Sequence, residues 1–299
     1  MSAAVTLRTV LAAAPLATVL KHGNVTSPHV HLDFVEVEPV HKAFAPMVRN
    51  QAYDLSELAI VSCLQAVAYD RPIVMLPVVV ASRFQRGCLI AHRGRGVPAA
   101  EDLAGRRIGV RSYTQTTGMW VRAHLEEDYG LSTERMHWLT RDPAHVEEYH
   151  DPAFVEHTSN SKSLPDMLRD GDIDAAILGN DLPDGDEFAR VIPNAAARDL
   201  NWWRQHGFMP INHMMVASRE LAQRNPEALR EAYRLLKQAH EQTVVPNDGP
   251  GKVLFGFAAL REPVRWIVAA CMEQRLLPRR LDFDELFGPA ERILGGPLE

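Results

Sequence analysis

The sequence predicts an α/β protein built from two units that share one chain. Three observations lead there. Short apolar segments alternate with helical spacing from residue 5 to about residue 80, and a second alternation of the same kind opens after Gly94. A stretch punctuated by Pro, Asp, Gly and Asn then runs from Asp181 to Gly207, and the apolar segment INHMMVA at 211–217 after it reads as a strand crossing back. The 299 residues fit two compact units or one large one, and 46% hydrophobic residues suffice to fill real cores.

Residues 5–12 (VTLRTVLA) predict the first strand, which runs on into a loop over the Ala- and Pro-rich residues that follow. The segment 30–37 (VHLDFVEV) alternates apolar and polar residues as a second strand, with the turn signal His22-Gly23-Asn24 between the two. A helix is expected over His41–Asn50. The segment 53–61 (YDLSELAIV) has the length and apolarity of a buried parallel strand, and a helix to Tyr69 and a strand at 72–80 complete the unit.

In the second unit, EDLAGRRIGV (101–110) predicts an acidic turn, Gly105 and a buried strand ending at Val110, followed by a helix over Thr117–Tyr129 and a strand near 136–140. Ser163 and Asp166 form a capping box that opens a short helix to Arg169; Gly171 ends it, and a buried strand follows at 174–178. The C-terminal third is helical. Leu229, Ala232, Tyr233, Leu236 and Ala239 keep helical spacing behind an Asn225 cap with Pro226 in the first turn, as do Val264, Ile267, Val268 and Cys271. Both stripes are core faces, and their apolar surplus is compatible with a homodimer.

Composition excludes several classes of function. Lys and Arg total 32 against 38 Asp and Glu, a net charge of −6 with no polybasic tract, so nucleic acid is not an expected partner. No apolar run approaches the ~20 residues of a membrane span. Thr9–Leu20 is apolar enough for a signal segment, but only Arg8 precedes it and Pro15 interrupts it, so it reads as mature structure. Cys63, Cys88 and Cys271 stand far apart, which indicates neither a zinc ribbon nor a disulfide framework and fits a cytoplasmic setting. Among the 13 histidines, His29 and His31 share a strand face, and His145, His150 and His157 lie near Glu147, Glu148 and Glu156. No HExxH motif or tight triad appears, and no GxGxxG or GxxxxGK[ST] segment, so neither a metal nor a cofactor is expected.

EDLAGRRIGV with its Tyr/Thr-rich loop and helix, followed by the helix-GDIDAA-strand segment, resembles the second lobe of type 2 periplasmic-binding-protein folds. That resemblance implies two α/β lobes with a ligand cleft between them: 1–92 with 214–299 as the first, 93–213 as the second, and hinges near 91–94 and 210–213. Five segments are similar to an enzyme group on this fold, the 4,5-dihydroxyphthalate decarboxylases: YDLSELAIVSCL (53–64), SRFQRGCLIAH (82–92), RSYTQTTGMWVRAHLEEDYG (111–130), GFMPINHMMV (207–216) and EQRLLPRRLDFDELFGP (273–289). The likeness implies a cofactor-independent decarboxylation of a hydroxylated aromatic acid, with a small aromatic carboxylate as the partner. The chain departs from the group after its first strand, where Ala12, Ala13, Ala14, Pro15 and Leu16 replace charged and aromatic residues, and over 141–162 and 181–206. The first departure touches the cleft and leaves the ring system of the substrate open.

Strand C-terminal ends are where α/β sheets place ligands, and the candidate residues cluster there. His213 opens the return strand beside Asn212; it is either a proton donor suited to neutral pH or a hydrogen-bonded structural histidine. Glu57 in a buried strand is costly unless paired or used, as base or hydroxyl anchor, or as a salt-bridge partner of Arg83 or Arg86. Arg83 and Arg86 have the planar fork that matches a carboxylate. Tyr113, Thr116 and Thr117 belong to a hydroxyl-rich turn at a helix start, able to receive a carboxylate or simply to cap. Trp120 is either core or a cleft wall stacking on an aromatic ring, and Asn180 follows a strand end. The alternatives in other classes are a non-catalytic solute-binding protein for a small carboxylate and another lyase on the same fold.

Overall fold

The computed structural model describes residues 4–159, 161–179, 182–243 and 249–295. In chain order the first lobe contains β1 (Val5–Val10), α1 (Pro15–Lys21), β2 (Val30–Phe34), α2 (Phe44–Asn50), β3 (Leu55–Ala59), α3 (Ile60–Ala68) and β4 (Ile73–Ser82). The second contains β5 (Leu89–His92), β6 (Arg107–Val110), α4 (Thr116–Tyr129), β7 (His137–Thr140), β8 (Val155–His157), α5 (Leu164–Asp170), β9 (Ala175–Ile177), β10 (Phe188–Arg190) and α6 (Ala195–His206). The chain then returns through β11 (Ile211–Ser218) and ends in α7 (Arg219–Arg224), α8 (Pro226–Thr243), β12 (Leu254–Phe255), α9 (Phe257–Glu273) and α10 (Phe283–Leu294).

Two six-stranded sheets result, in the orders β12-β4-β11-β3-β1-β2 and β10-β5-β9-β6-β7-β8. In the first, β1, β2 and β3 are parallel and β11 runs antiparallel between β3 and β4. In the second, β6, β7, β8 and β9 are parallel, β5 runs antiparallel beside β9, and β10 pairs antiparallel with β5 at the edge. β3 is buried along its whole length and β4 along nearly all of it, which is why they read as continuous apolar runs rather than alternating ones.

Two expectations need correction. The run after β1 is a helix, not a loop: Pro15 occupies its first turn, where the missing N–H costs nothing, and Leu16, Ala17 and Leu20 bury one face. The crossings also lie elsewhere. Leu89 and Ile90 pair with Ile177 and Ala176, so 89–92 belongs to the second lobe and the chain crosses over 83–88. Ile211–His213 already pair within the first sheet. The two crossings are tied together by the Arg83 N–H, which donates to the Pro210 carbonyl at 3.0 Å.

Behind the cleft, the C-terminal helices bolt the lobes. Trp120 of α4 stacks on Trp266 of α9 at 4.7 Å, and Gln274 accepts from Arg122 Nε at 2.7 Å while donating to the Met119 carbonyl at 2.9 Å. No helix among the described residues is long and apolar enough to cross a membrane.

Candidate active site

Because β11 runs antiparallel to β3, its first residues lie at the C-terminal end of β3. His213 pairs with Ala59 and Met215 with Glu57, so His213 and Glu57 are diagonal neighbours on one face, within reach of each other's side chains. His213 Nδ1 lies 2.5 Å from Glu57 Oε1. Glu57 Oε2 accepts the Ala12 N–H at 2.8 Å, just past the end of β1. A buried carboxylate costs several kcal/mol unless its oxygens are satisfied, and here each has a donor. Glu57 is 2% exposed. Its partner is neither Arg83 nor Arg86 but His213, whose ring it holds at Nδ1, which leaves Nε2 for another partner. The His213 side chain keeps 22% of its surface exposed.

The ring of Phe44, at the start of α2, meets two histidines edge-on: His213 at 5.1 Å between centroids and His145 at 5.7 Å. His145 comes from the loop after β7 and shares a 2.8 Å hydrogen bond between its Nδ1 and the Ser62 hydroxyl. Burial, followed by the charges of Arg111, His41, Arg49 and His213, holds its pKa down at about 4. This corner is rich in cations in a protein whose net charge is negative.

The opposite wall is the C-terminal edge of the second sheet. A cavity of about 320 Å³ there is lined by Arg111, Gln115, Arg141, Ser163, Leu164, Pro165, Ile177, Leu178 and Gly179. Arg83 borders it. Its guanidinium donates to the Thr117 hydroxyl at 2.9 Å, and a Cβ built on Gly179 would stand 3.4 Å from both Arg83 Nη2 and Gln115 Nε2. Gly179 thus lies between Arg83 and Gln115 at the rim of the cavity. Thr116 is buried and takes a long 3.5 Å hydrogen bond from the Val61 N–H across the lobes.

Four other candidates face inward. Arg86 is 2% exposed and grips Asp128 with two hydrogen bonds, at 2.8 and 2.9 Å, and Asp199 with one at 3.0 Å. Its burial works against the charge, and the two carboxylates outweigh that and hold the guanidinium above its ordinary pKa. With its donors committed it cannot clamp a substrate. Tyr113 is fully buried; its hydroxyl bonds Thr133 at 3.0 Å and the Gln274 carbonyl at 2.9 Å. Trp120 is fully buried and donates to the Ile211 carbonyl at 2.8 Å, so the core reading holds and the cleft-wall reading does not. Asn212 accepts from Gln85 Nε2 at 2.5 Å within the crossing. Asn180 lies outside the described residues.

Sequence reasoning passed over Arg111 and Arg141 and considered His145 only as a metal ligand. The missed signal was positional: Arg111 and Arg141 are the first residues past the buried parallel strands β6 and β7. Among the described residues no group of three or more His, Cys, Asp or Glu side chains converges as a metal site.

Comparison with known proteins agrees with this architecture. Residues 8–249 match the family described as ABC transporter, phosphonate, periplasmic substrate-binding protein. The aliphatic sulphonate binding protein of Escherichia coli shares the fold with a TM-score of 0.59 at 13% identity, covering 94% of this chain and 91% of that one. The alkanesulfonate-binding protein of Xanthomonas axonopodis pv. citri, bound to MOPS, gives 0.57 at 15% identity, with 97% and 99% covered. Two relatives are named 4,5-dihydroxyphthalate decarboxylase. That of Comamonas testosteroni is 26% identical over 90% of this chain and 92% of its own length, and that of Pseudomonas putida 31% identical over 53% and 64%. The chain belongs to the phosphonate periplasmic substrate-binding protein family, and its similarity to 4,5-dihydroxyphthalate decarboxylases extends over most of its length.

Proposed function

We propose that the protein is a cytoplasmic carboxy-lyase that decarboxylates a hydroxylated aromatic acid without a cofactor, with 4,5-dihydroxyphthalate giving protocatechuate and CO₂ as the specific reaction. The observation that carries the reading is the His213–Glu57 pair at the cleft end of the first sheet, 2.5 Å apart. The names of the two relatives support it, and the three free, buried cysteines accord with a reducing compartment.

When the ring–carboxylate bond breaks, its electron pair stays on the ring carbon and CO₂ departs neutral. That carbon must then take a proton. A hydroxyl oxygen para to it feeds electron density into the ring and makes the carbon basic enough to accept one. His213 delivers the proton from Nε2 while Glu57 holds the ring by Nδ1. Arg83, with the Thr116–Thr117 turn, anchors the acid group that remains and sets the ring against His213. Enclosure between the lobes keeps water from the developing carbanion.

Running the reaction in D₂O tests this step. Product carrying one deuterium at the carbon that lost CO₂, formed by wild type and not by His213→Gln, is expected; equal turnover by both proteins contradicts it. The family match and the sulfonate-binding neighbours favour a second reading, a solute-binding protein that closes on a small acid without chemistry. Tight binding with no CO₂ release would select it.

A further inference from the structure

Arg111 and Arg141 stand side by side at the ends of neighbouring parallel strands. The register of β6 on β7 pairs Gly109 with Leu139, and two residues further on the Arg141 N–H donates to the Arg111 carbonyl at 3.0 Å. Two like charges held next to each other in register are unfavourable unless a negative group lies between or beside them. Arg111 has Asp142, whose carboxylate is 3.6 Å from its Nε and more than half exposed. The half-buried Arg141 side chain makes no hydrogen bond or ion pair among the described residues. Both residues line the same cavity of about 320 Å³. A third lining residue, Gln115, has a buried Oε1 with no partner among the described residues.

We infer that Arg141 and Arg111, with Gln115, form beside Arg83 an anion subsite in the second lobe that shares with Arg83 the carboxylate retained on the substrate, and that Arg141 sets a preference for a ring bearing two adjacent acid groups over one bearing a single acid. The inference rests on the decarboxylase reading of the cleft for the identity of its ligand, and on the geometry alone for the anion. His213 and His145 share the ring of Phe44, and the charge of Arg111 acts on His145. On the decarboxylase reading, one acid group meets His213 and its neighbour the guanidinium pair. The guanidinium fork suits a carboxylate better than a point charge does, because two parallel hydrogen bonds fix its plane.

Phthalate and benzoate are the probes, since both lack the ring hydroxyl that the reaction draws on and so bind without turnover. Calorimetric titration of the full chain is expected to show phthalate binding at least about tenfold more tightly than benzoate. Arg141→Gln is expected to remove that preference, bringing phthalate affinity to within about twofold of benzoate affinity. Arg141→Lys, which keeps the charge and loses the fork, is expected to keep part of the preference, and serves if the glutamine variant does not fold as judged by its melting curve. A preference undiminished in either variant overturns the subsite, as does a wild type that binds both acids equally or binds neither. Turnover of 4,5-dihydroxyphthalate is measured separately. Its absence alongside an Arg141-dependent preference strikes the decarboxylase reading and leaves the subsite standing.

Discussion

Glu57 and His213 come from strands that are 156 residues apart in sequence and adjacent in space, and the carboxylate that touches the imidazole is itself held by the Ala12 N–H. Three strands thus meet in one hydrogen-bonded relay at the mouth of the first sheet.

Removing the charge of that relay should cost catalysis more than folding. Glu57→Gln keeps the shape and can still bond Ala12, but no longer fixes the His213 ring with a carboxylate. We expect kcat for 4,5-dihydroxyphthalate to fall by about 10²–10⁴-fold with KM changed little. Steady-state kinetics beside a melting curve checks this; a parallel loss of structure would mark Glu57 as structural only.

Arg86 should behave in the opposite way. Arg86→Met leaves the buried Asp199 without its cation and Asp128 with Arg198 at 3.7 Å, and such a loss costs about 3–5 kcal/mol. Urea denaturation should show that destabilisation, while KM of the surviving folded enzyme stays near wild type. A large rise in KM with stability intact would restore Arg86 to the substrate.

Trp120→Phe removes the donor to the Ile211 carbonyl and weakens the stack on Trp266. An unsatisfied carbonyl at the start of the return strand and a lost aromatic contact together amount to about 1–3 kcal/mol. The chemical-denaturation midpoint should fall accordingly, with the slope unchanged.

Acid stability should report on His145. Its pKa of about 4 in the fold lies below the ordinary 6.5, because burial and then Arg111, His41, Arg49 and His213 oppose its protonation. The unfolded chain takes up the proton first, so stability is lost as pH falls from about 6.5 through about 4. His145→Gln removes this contribution, which is on the order of 1–2 kcal/mol at pH 5. Between pH 7 and pH 4.5 the melting temperature of wild type should fall more steeply than that of His145→Gln; parallel curves would contradict it.

The elements of both lobes were legible because strand and helix periodicities differ and because cap residues stand where caps are needed. Ser163 accepts the Asp166 N–H, and the Asn225 side chain accepts the Ala228 N–H. Periodicity does not say which sheet a strand joins. The apolar run at 89–92 fits either, and only its pairing with β9 settles the matter. Site residues divide along a similar line. His213 and Glu57 could be singled out individually from their places near strand ends, but nothing local showed that they are each other's partners. Arg86 looked available because its carboxylates lie 42 and 113 residues away. Arg141 drew no notice because an arginine unpaired among the described residues becomes conspicuous only once the cavity around it is known.

The central claim is that this cleft removes CO₂ from an aromatic acid through His213. Purified, chelator-treated protein should be given 4,5-dihydroxyphthalate while released CO₂ is followed and the aromatic product identified by mass spectrometry, with His213→Ala alongside. Protocatechuate and CO₂ from wild type in equal amounts, with neither from the variant, is the predicted result. A wild type that binds the acid and releases no CO₂, with or without added divalent metal, or a variant that turns over as fast as wild type, would contradict it.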